Sequence, residues 1–481
     1  GPRFLPYADV VLPDLPWARL LRLSLFQVSV GMALVLLVGT LNRVMIVELD
    51  VPASLVALMV ALPLLAAPFR ALIGFRSDTH RCELGWRRVP FIYRGTLLQF
   101  GGFAIMPFAL LVLAGMGESG HLPPVLGQGA AAIAFLLVGA GAHMVQTVGL
   151  ALATDLTPSE SHPKVVGLMY VMLLFGMIVS ALVFGALLAE FSPGRLVQVV
   201  QGAAVVTVVL NFVALWKQEP RNPPRGARPT QPDPSFTECW QRFCQGSDAV
   251  RRLVIVGLGT IGFGMADIVL EPYGGEVLGL SVSATTKLTA LLAFGGLMGF
   301  AFAWFRMARG GHAYRVTQLG TVLGVPAFGL VIVAAPLDMP SLFLLGNLMI
   351  GFSGALFWHG TLTATMSLAP KDQAGLALGA WGAVQATAAG VAMSLSGILR
   401  DTVQFLAEGS APLLGVATAA TGYMAVYAVE IALLLITIAA TFPLLRRATA
   451  ARKSDAAPVG GVARADMAIA QPAEHGGESH R

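Results

Sequence analysis

Charged residues are scarce in this chain. Only 12% of its 481 residues are Asp, Glu, Lys or Arg, whereas 56% are hydrophobic, and the mean hydropathy is +0.74. Soluble domains carry about twice that share of charge, so the soluble classes are excluded. The net charge of +5 is small and lies in loops, which argues against a nucleic-acid-binding protein. An integral membrane protein remains, and the 54 glycines suit helices that pack closely in lipid.

Cysteine is also scarce, and the motifs of several enzyme classes are missing. The three cysteines, Cys82, Cys239 and Cys244, fall in predicted cytoplasmic loops, so we expect no disulfide and no metal site. The sequence has no Walker P-loop, HExxH motif or nucleophile elbow, which argues against an ATPase or a hydrolase. The run GLGTIG at 257–262 matches a dinucleotide fingerprint, but it lies in a membrane-length apolar run and predicts close helix packing. We expect no enzymatic activity.

Twelve apolar runs are long enough to cross a bilayer as helices, which takes about 20 residues each. They lie at 23–49, 54–75, 90–116, 128–153, 165–190, 196–216, 251–272, 285–306, 315–335, 341–368, 374–399 and 415–445. The sequence therefore predicts an all-α membrane protein with twelve transmembrane spans. A Pro- and Arg-rich cytoplasmic linker at 217–250 separates an N-terminal half, 23–216, from a C-terminal half, 251–445. Residues 1–22 form a cytoplasmic N-terminal segment, and 446–481 are predicted to be a disordered tail.

The basic residues predict the orientation of the chain. Under the twelve-span scheme only Arg195, Lys287 and Arg400 fall in loops on the side away from the termini, and Arg43 lies inside the first span. Loops that stay in the cytoplasm retain positive charge. Both termini are therefore predicted to be cytoplasmic.

The two halves repeat each other. Pro158, Glu160, Gly167 and Gly185 recur 212 residues later as Pro370, Asp372, Gly379 and Gly397. Two matched six-helix halves joined by a cytoplasmic linker resemble the major facilitator superfamily of transporters. The stretch from Gly74 to Asp78, followed by Arg87 and Arg88, resembles the signature between the second and third helices of that superfamily. The resemblance predicts its fold and makes Asp78, Arg87 and Arg88 candidates for a gating network.

Ionisable groups at membrane depth are costly, so each is a candidate functional residue. Arg43 and Glu48 lie in the outer half of the first span, and Asp267 and Glu271 lie at the corresponding height of the seventh. Because the first and seventh helices face each other in that superfamily, we predict that Arg43 pairs with Asp267 or Glu271. Such a pair either closes an outer gate or lets the acids carry protons or cations, and both alternatives stay open.

Two histidines, His143 and His359, fall inside predicted spans. The repeat relates their positions to within one helical turn, so the two imidazoles are predicted to project from related faces. A neutral imidazole in an apolar site can ligate the magnesium of a chlorin, or it can hydrogen-bond a neighbouring helix. Phe352, Phe357 and Trp358, near His359, either stack on such a ring or pack the core.

Acidic residues follow the fourth span. Asp155 and Glu160, together with Lys164, resemble the charged network that latches the cytoplasmic helix ends in transporters of that superfamily. A solvated loop is the alternative. On the first interpretation the two acids belong to the same network as Arg87 and Arg88.

Several long stretches resemble one family within that superfamily. They are RLSLFQVSVGM at 22–32, GTLNRVMIVEL at 39–49, APFRALIGFRSDTH at 67–80, LGWRRVP at 84–90 and QTVGLALATD at 146–155. With the acidic seventh span, they are similar to the PucC/LhaA family of purple phototrophic bacteria, the bacteriochlorophyll-delivery branch, and the similarity extends over most of 15–445. The amino terminus, RFLPYAD at 3–9, is more similar to LhaA, associated with the core antenna, than to PucC of the peripheral antenna.

The resemblance implies an assembly factor in the intracytoplasmic photosynthetic (inner) membrane. Such a protein binds bacteriochlorophyll, or a late precursor, non-covalently and delivers it to the antenna α and β polypeptides, or holds them during assembly around the reaction centre. Implied partners are these polypeptides, reaction centre–core antenna intermediates and the enzymes of bacteriochlorophyll biosynthesis. On this view His143 or His359 ligates the magnesium, with Phe352, Phe357 and Trp358 around the ring.

Three alternatives stay open on the sequence. A proton-coupled secondary transporter would move a small solute and use Glu48, Asp267 or Glu271. A scaffold would bind the growing antenna ring without free pigment. Assembly of the peripheral antenna, light-harvesting 2, is the alternative to assembly of the core antenna, light-harvesting 1.

Overall fold

The computed structural model describes residues 17–65, 73, 77, 85–115, 121–157, 162–219, 248–309, 311–368, 374–407 and 419–455. Within these ranges all regular structure is helical, as the apolar runs predict. Asp78, Glu160 and the three cysteines lie outside the described residues, as do most of the predicted linker and the tail beyond residue 455.

Twelve helices follow one another along the described part of the chain, one for each predicted span. They are α1 (Trp17–Glu48), α2 (Ala53–Leu65), α3 (Val89–Leu113), α4 (Pro124–Asp155), α5 (His162–Leu187), α6 (Pro193–Leu215), α7 (Ala249–Glu276), α8 (Val282–Ala308), α9 (Ala313–Ala334), α10 (Pro340–Leu368), α11 (Ala374–Ala407) and α12 (Ala419–Asp455). Eleven are long and apolar enough to cross a membrane, and α2 is described over 13 residues of its span. The chain is a multi-pass membrane protein.

Some helices run past the ends that hydropathy predicts. α11 continues to Ala407 and α12 to Asp455, whereas the apolar runs end at 399 and 445. Hydropathy detects where the lipid ends, but helical hydrogen bonding continues into water where residues such as Ala, Arg and Lys favour it. Residues 446–455 are therefore helix, which corrects the start of the predicted disordered tail.

Local signals explain where two of the helices begin. Ser192 and Ser281 precede α6 and α8, and their hydroxyls accept hydrogen bonds from the amides of Arg195 at 3.1 Å and Ala284 at 3.2 Å. Pro193 follows Ser192 as the first helical residue, where a missing N–H leaves no helical bond unmade. These caps fix the residues at which the two helices begin.

Two helices related by the repeat, α1 and α7, depart from regular α geometry. α1 contains two π-helical stretches, Val35–Leu41 and Val44–Glu48. α7 consists of Ala249–Gly264 and Ala266–Glu276, joined at Met265. Irregular turns at membrane depth free backbone groups that other helices must satisfy, and they are frequent at functional sites.

The helices α1–α6 and α7–α12 form two halves, which meet along α2 with α11 and along α5 with α8. We call the end of the bundle that carries Trp17 and Leu215 the proximal end, and the end that carries Glu48 and Asp401 the distal end. The proximal end is the side predicted to be cytoplasmic, and that orientation stays a prediction.

Glycines at repeat-related positions let the two halves touch. Gly397 of α11 lies so close to α2 that a Cβ atom there would be 2.6 Å from the Ala53 carbonyl oxygen. At its repeat mate, Gly185 of α5, a Cβ atom would be 2.7 Å from the Lys287 side chain of α8. The repeat seen in the sequence therefore marks equivalent contacts between the halves.

Candidate functional site

Arg43 is buried near the distal end of α1, with 3% of its surface exposed. Its guanidinium pairs with Glu48 of the same helix and donates a hydrogen bond to the carbonyl oxygen of Leu280 at 3.3 Å. Arg43 thus forms its direct ion pair with Glu48 and, among the described residues, none with Asp267 or Glu271, although it lies close enough to Glu271 for electrostatic attraction. In a π-helical stretch residues five apart come together along the helix, which brings Glu48 within reach of Arg43.

Glu271 lies where α7 meets α8 and α1, and it is 4% exposed. The Thr289 hydroxyl donates a hydrogen bond to its Oε1, while its Oε2 is enclosed without a hydrogen-bond partner. Gly39 of α1 makes room for this carboxyl, because a Cβ atom there would lie 2.5 Å from Oε1. Thr40 and Thr286 form a further hydrogen bond across this interface at 3.1 Å. The carboxyl of Glu271 in the C-terminal half thus lies against Gly39 of the N-terminal half.

The carbonyl oxygen of Ile268 in α7 lacks a helical donor, because Pro272, four residues later, has no N–H. Asn42 of α1 supplies one, and its Nδ2 donates to that oxygen at 2.8 Å. Asp267 precedes this contact and forms no ion pair within the described ranges. Asp267, one of the two acids predicted to pair with Arg43, therefore lies next to a hydrogen bond between the halves.

Sequence reasoning missed two polar residues that hold the same segment of α7. Glu430 of α12 accepts a hydrogen bond from the Ala266 amide at 2.6 Å, and it is completely buried. Ser396 of α11 donates one to the Met265 carbonyl oxygen at 2.7 Å. A lone acid in the apolar run 415–445 was a signal that could have revealed Glu430. No such signal marks Ser396, because serine is common in membrane helices.

A second network that the sequence did not predict closes the distal end. Arg400 of α11 pairs with Glu276 at 2.7 Å and with Asp401 at 3.0 Å. Asp401 also accepts a hydrogen bond at 2.7 Å from the amide of Ser54, which lies at the start of α2 in the opposite half. Together with the contacts of Arg43, Thr40 and Asn42, this bond holds the halves together, so the structure is closed at its distal end.

The proximal end has the charged contacts predicted for a latch. Arg87 and Arg88, at the start of α3, both pair with Asp155 at the end of α4, at 3.1 and 3.0 Å. Arg88 also donates a hydrogen bond to the Ser77 hydroxyl at 2.6 Å. The side chain of Arg88 is only 6% exposed, so this is a partly buried cluster. Asp78 and Glu160, predicted for the same network, lie outside the described residues.

Glu219, just after α6, connects this cluster to the end of the N-terminal half. Its carboxylate accepts hydrogen bonds at 2.7, 3.0 and 2.9 Å from the backbone amides of Arg87, Arg88 and Val89. It thereby caps the start of α3, where free N–H groups and the helix dipole favour a negative charge. Arg19 of α1 donates to the Gln218 carbonyl oxygen at 2.7 Å. The residues after α6 therefore join α1 to α3.

The two candidate histidines lie in opposite halves, His143 in α4 and His359 in α10. Both are partly exposed side chains, and α10 carries Phe352 two turns away on the same face as His359. The imidazole of His359 packs on Phe300 of α8, with ring centroids 4.4 Å apart. Its Nδ1 is enclosed and has no hydrogen-bond partner. A ligand reaches this nitrogen only when the side chains packed around it move aside.

The structure separates the three aromatic residues predicted near His359. Phe352 packs on Phe302 of α8, with ring centroids 5.9 Å apart. Phe357 and Trp358 instead pack on Phe263 of α7, at 5.7 and 6.1 Å. Successive helical residues point about 100° apart, so neighbours of His359 in sequence face other helices. The alternative of core packing is therefore correct for Phe357 and Trp358.

A cavity of about 280 Å³ lies at the distal end of the N-terminal half, between α1, α3 and α6. Its walls include Val44, Glu48, Leu110, Phe191 and Leu196. Glu48 already pairs with Arg43, and the remaining wall is apolar. The cavity is separate from His359, which lies in the other half.

These features define a class of protein: a helical membrane protein of two six-helix halves, closed at one end by polar contacts, with irregular first and seventh helices. Solved transporters share its overall fold. A bacterial homologue of the human lysosomal transporter Spinster, inward-facing and unoccupied, matches with a TM-score of 0.63 and 16% identity over 90% of this chain and 98% of that chain. A D-xylose–proton symporter matches with a TM-score of 0.65 and 14% identity over 88% and 97%. The predicted major facilitator superfamily fold is confirmed.

The chain belongs to the PucC family, since the family described as PUCC protein matches residues 40–449. It is 57% identical over 453 residues to Protein PucC of Cereibacter sphaeroides, which covers 94% of this chain and 97% of that protein. It is 60% identical over 406 residues to Protein PucC of Rhodovulum sulfidophilum, covering 84% and 89%. The predicted family is confirmed, and the predicted closeness to LhaA stays a prediction.

Proposed function

We propose that this protein binds bacteriochlorophyll within the bilayer and delivers it to antenna polypeptides as an assembly factor for light-harvesting complexes. Membership of the PucC family supports this role. The observation that carries the proposal is the environment of His359, whose Nδ1 is enclosed at membrane depth without a hydrogen-bond partner and whose ring packs on Phe300. Buried polar atoms without partners are rare and call for an explanation, and a bound ligand supplies one.

The chemistry of these side chains suits bacteriochlorophyll as cargo. His359 would supply a neutral imidazole nitrogen to the magnesium of the pigment, and Phe300 and Phe352 would contact the apolar face of its ring. Movement of the pigment between proteins inside the bilayer keeps its apolar surface out of water. Binding and release require no bond in the pigment to be broken, so the proposed carrier is not an enzyme. His143, one helical turn from the repeat-related position Thr147, offers an imidazole in the other half.

Delivery requires contact with the acceptors. The proposed partners are the antenna α and β polypeptides and the reaction centre–core antenna intermediates, which meet the lipid-facing helices, together with the enzymes that make the pigment. The amino terminus favours the core antenna, light-harvesting 1, whereas 57–60% identity to PucC proteins favours the peripheral antenna, light-harvesting 2. The corresponding location is the intracytoplasmic photosynthetic membrane, with both termini in the cytoplasm.

The first test is an absorption spectrum of the protein purified in mild detergent from a pigment-producing host, after size exclusion has removed antenna complexes. We expect a stoichiometric near-infrared band that travels with the protein. His359→Leu should lower pigment retention about tenfold or more, the effect of losing roughly 1.4 kcal/mol of binding free energy. His143→Leu, measured in parallel, decides between the two imidazoles.

His121 provides the matched control, because it is exposed in the loop before α4. His121→Leu should leave the band unchanged. Full retention of pigment by both the His143 and the His359 variants would refute the ligand assignment. A colourless protein beside a coloured antenna complex that contains it would favour the scaffold, and a deletion strain that loses only one antenna type would identify the acceptor.

A proton-coupled secondary transporter of a small solute is the second candidate. The transporter fold and the acids of α7, Asp267 and Glu271, favour it. Solute uptake into proteoliposomes, driven by a pH gradient and abolished by Glu271→Gln, would support this candidate. Absence of such uptake in a preparation that retains the pigment band would exclude it in favour of the carrier.

A further inference from the structure

The hydrogen-bond ladder of α7 is interrupted at membrane depth. The Met265 amide lies 3.3 Å from the Ile261 carbonyl oxygen, a stretched helical bond. The next amide, that of Ala266, donates to Glu430 Oε1 of α12 at 2.6 Å. Ser396 of α11 donates to the Met265 carbonyl oxygen at 2.7 Å. Glu430 therefore takes the place of the helical acceptor of the Ala266 amide, and Ser396 adds a further hydrogen bond to the same turn.

Glu430 has one satisfied and one unsatisfied oxygen. The residue is 0% exposed, its Oε1 accepts the Ala266 amide, and its Oε2 is enclosed without a hydrogen-bond partner. Within the described part of the chain it forms no ion pair with a basic side chain. A side chain with this chemistry at membrane depth marks a functional group and not a packing residue.

The ionisable groups around Glu430 do not include a free base. The acids and phenols on the elements packed against it are Asp267, Glu271, Tyr273 and Glu276 of α7, Asp401 of α11, Tyr314 of α9, and Tyr423 and Tyr427 of α12 itself. The described bases are Arg251 and Arg252 of α7, Arg400 of α11, Arg315 of α9 and Arg446 of α12. Arg400 is engaged by Glu276 and Asp401 at the distal end. The other arginines of this set lie near the proximal ends of their helices, several turns from Glu430. An ionised Glu430 would therefore meet no compensating charge nearby.

A carboxylate here would leave an unpaired charge in an apolar environment, and one amide hydrogen bond does not offset the loss of hydration. A protonated carboxyl carries no charge, and its carbonyl oxygen still accepts the Ala266 N–H. We infer that Glu430 is a proton-binding site and that its proton occupancy controls the interrupted turn of α7. Loss of the proton creates a charge that must be hydrated. Water that enters between α12 and α7 to hydrate this charge separates Glu430 from Ala266.

The interrupted turn is connected to the other half of the protein. Ile268 follows Ala266 by two residues, and its carbonyl oxygen accepts the hydrogen bond from Asn42 of α1 at 2.8 Å. Movement of this turn therefore disturbs one of the contacts that close the distal end. Protonated Glu430 stabilises the closed state, and deprotonation favours opening. The inference does not depend on the proposed binding of pigment.

Hydrogen exchange of the full-length protein in detergent tests the inference. Exchange of peptides that cover 262–276 is measured between about pH 6 and about pH 9 and corrected for the intrinsic pH dependence of exchange. Because opening releases one proton, protection should fall by up to about tenfold per pH unit once the site titrates. Glu430→Gln keeps an acceptor for the Ala266 amide and cannot ionise, so its corrected profile should be flat. Glu190→Gln, at an exposed distal position, should keep the wild-type profile.

Several results would overturn the inference. A flat profile in the wild-type protein, or a profile in Glu430→Gln with the wild-type slope, would show that Glu430 is not the titrating group. Loss of the slope in Asp267→Asn with its retention in Glu430→Gln would assign the proton to Asp267. If Glu430→Gln does not fold, Ser396→Ala serves in its place, because it removes the other hydrogen bond to the turn and keeps Glu430. Peptides 262–276 of this variant should exchange faster than those of the wild-type protein, with an unchanged pH slope.

Discussion

Asn42 of α1 donates a hydrogen bond to the carbonyl oxygen of Ile268 in α7 at 2.8 Å, across the boundary between the two halves. The carbonyl is free because Pro272 has no N–H to offer it. A buried carbonyl without a donor is unfavourable, so Asn42 stabilises the two halves in their distally closed arrangement.

Asn42→Ala should weaken closure of the distal end. It leaves the Ile268 carbonyl without its donor, a loss of about 1–3 kcal/mol. Spin labels at Glu190 and Met339, both exposed at the distal ends of their halves, report the separation. With the three native cysteines replaced, we expect the variant to populate longer distances than the parent protein.

The control for this prediction is Asn347→Ala. Asn347 donates to the Leu288 carbonyl oxygen at 2.8 Å, which is the same kind of bond but lies within the C-terminal half. This variant should lower the unfolding temperature without changing the label-to-label distance. Equal lengthening in both variants would show that Asn42 has no special role in closure.

Gly39→Ala should destabilise the contact between α1 and α7. The added Cβ atom would lie 2.5 Å from Glu271 Oε1 and 2.9 Å from Thr289 Oγ1, so one of these groups must move. Overpacking of this kind costs about 1–3 kcal/mol. Gly202 of α6 has open space around it, and Gly202→Ala should be neutral or slightly stabilising. Thermal unfolding in detergent compares the two, and similar unfolding temperatures would contradict the prediction.

Gly397→Ala should separate α11 from α2. Its Cβ atom would be 2.6 Å from both the Ala53 carbonyl oxygen and the Ala57 Cβ atom, and backbone cannot move aside as a flexible side chain does. We expect the distal distance between labels at 190 and 339 to lengthen and stability to fall by about 1–3 kcal/mol. Gly382→Ala, in the same helix but without close neighbours, should do neither. If the label-to-label distance and the stability changed as much in the Gly382 variant as in the Gly397 variant, close contact at Gly397 would not be the cause.

Glu219→Gln should lower stability at the proximal end. The carboxylate accepts hydrogen bonds from three amides at the start of α3, and a neutral amide keeps only one acceptor oxygen and loses the favourable interaction with the helix dipole. We expect a loss of about 1 kcal/mol in the free energy of unfolding. Glu190→Gln, which changes an exposed acid, is the control. An unfolding midpoint that is the same in both variants would contradict the capping role.

Many side-chain contacts of the candidate site could not be predicted from the sequence. Glu48, five residues from Arg43, is its partner because α1 turns π-helical there, and no hydropathy pattern reports that change. Phe357 and Trp358 adjoin His359 in sequence but face α7, while Phe300, 59 residues away, packs on the imidazole. Contacts of this kind depend on how helices rotate about their axes, which small differences in packing decide.

The sequence alone determined the membrane class, the twelve spans, the repeat and the family, because each depends on local composition or on long stretches of residue identity. Crossing a bilayer is a property of about 20 consecutive residues, so hydropathy is sufficient to predict it. The tertiary structure alone decided which buried groups meet: Glu430 with Ala266, Asn42 with Ile268, and Gly185 and Gly397 with the opposite half. These pairs are far apart in the chain, and only the packing of whole helices brings them within hydrogen-bond or van der Waals distance.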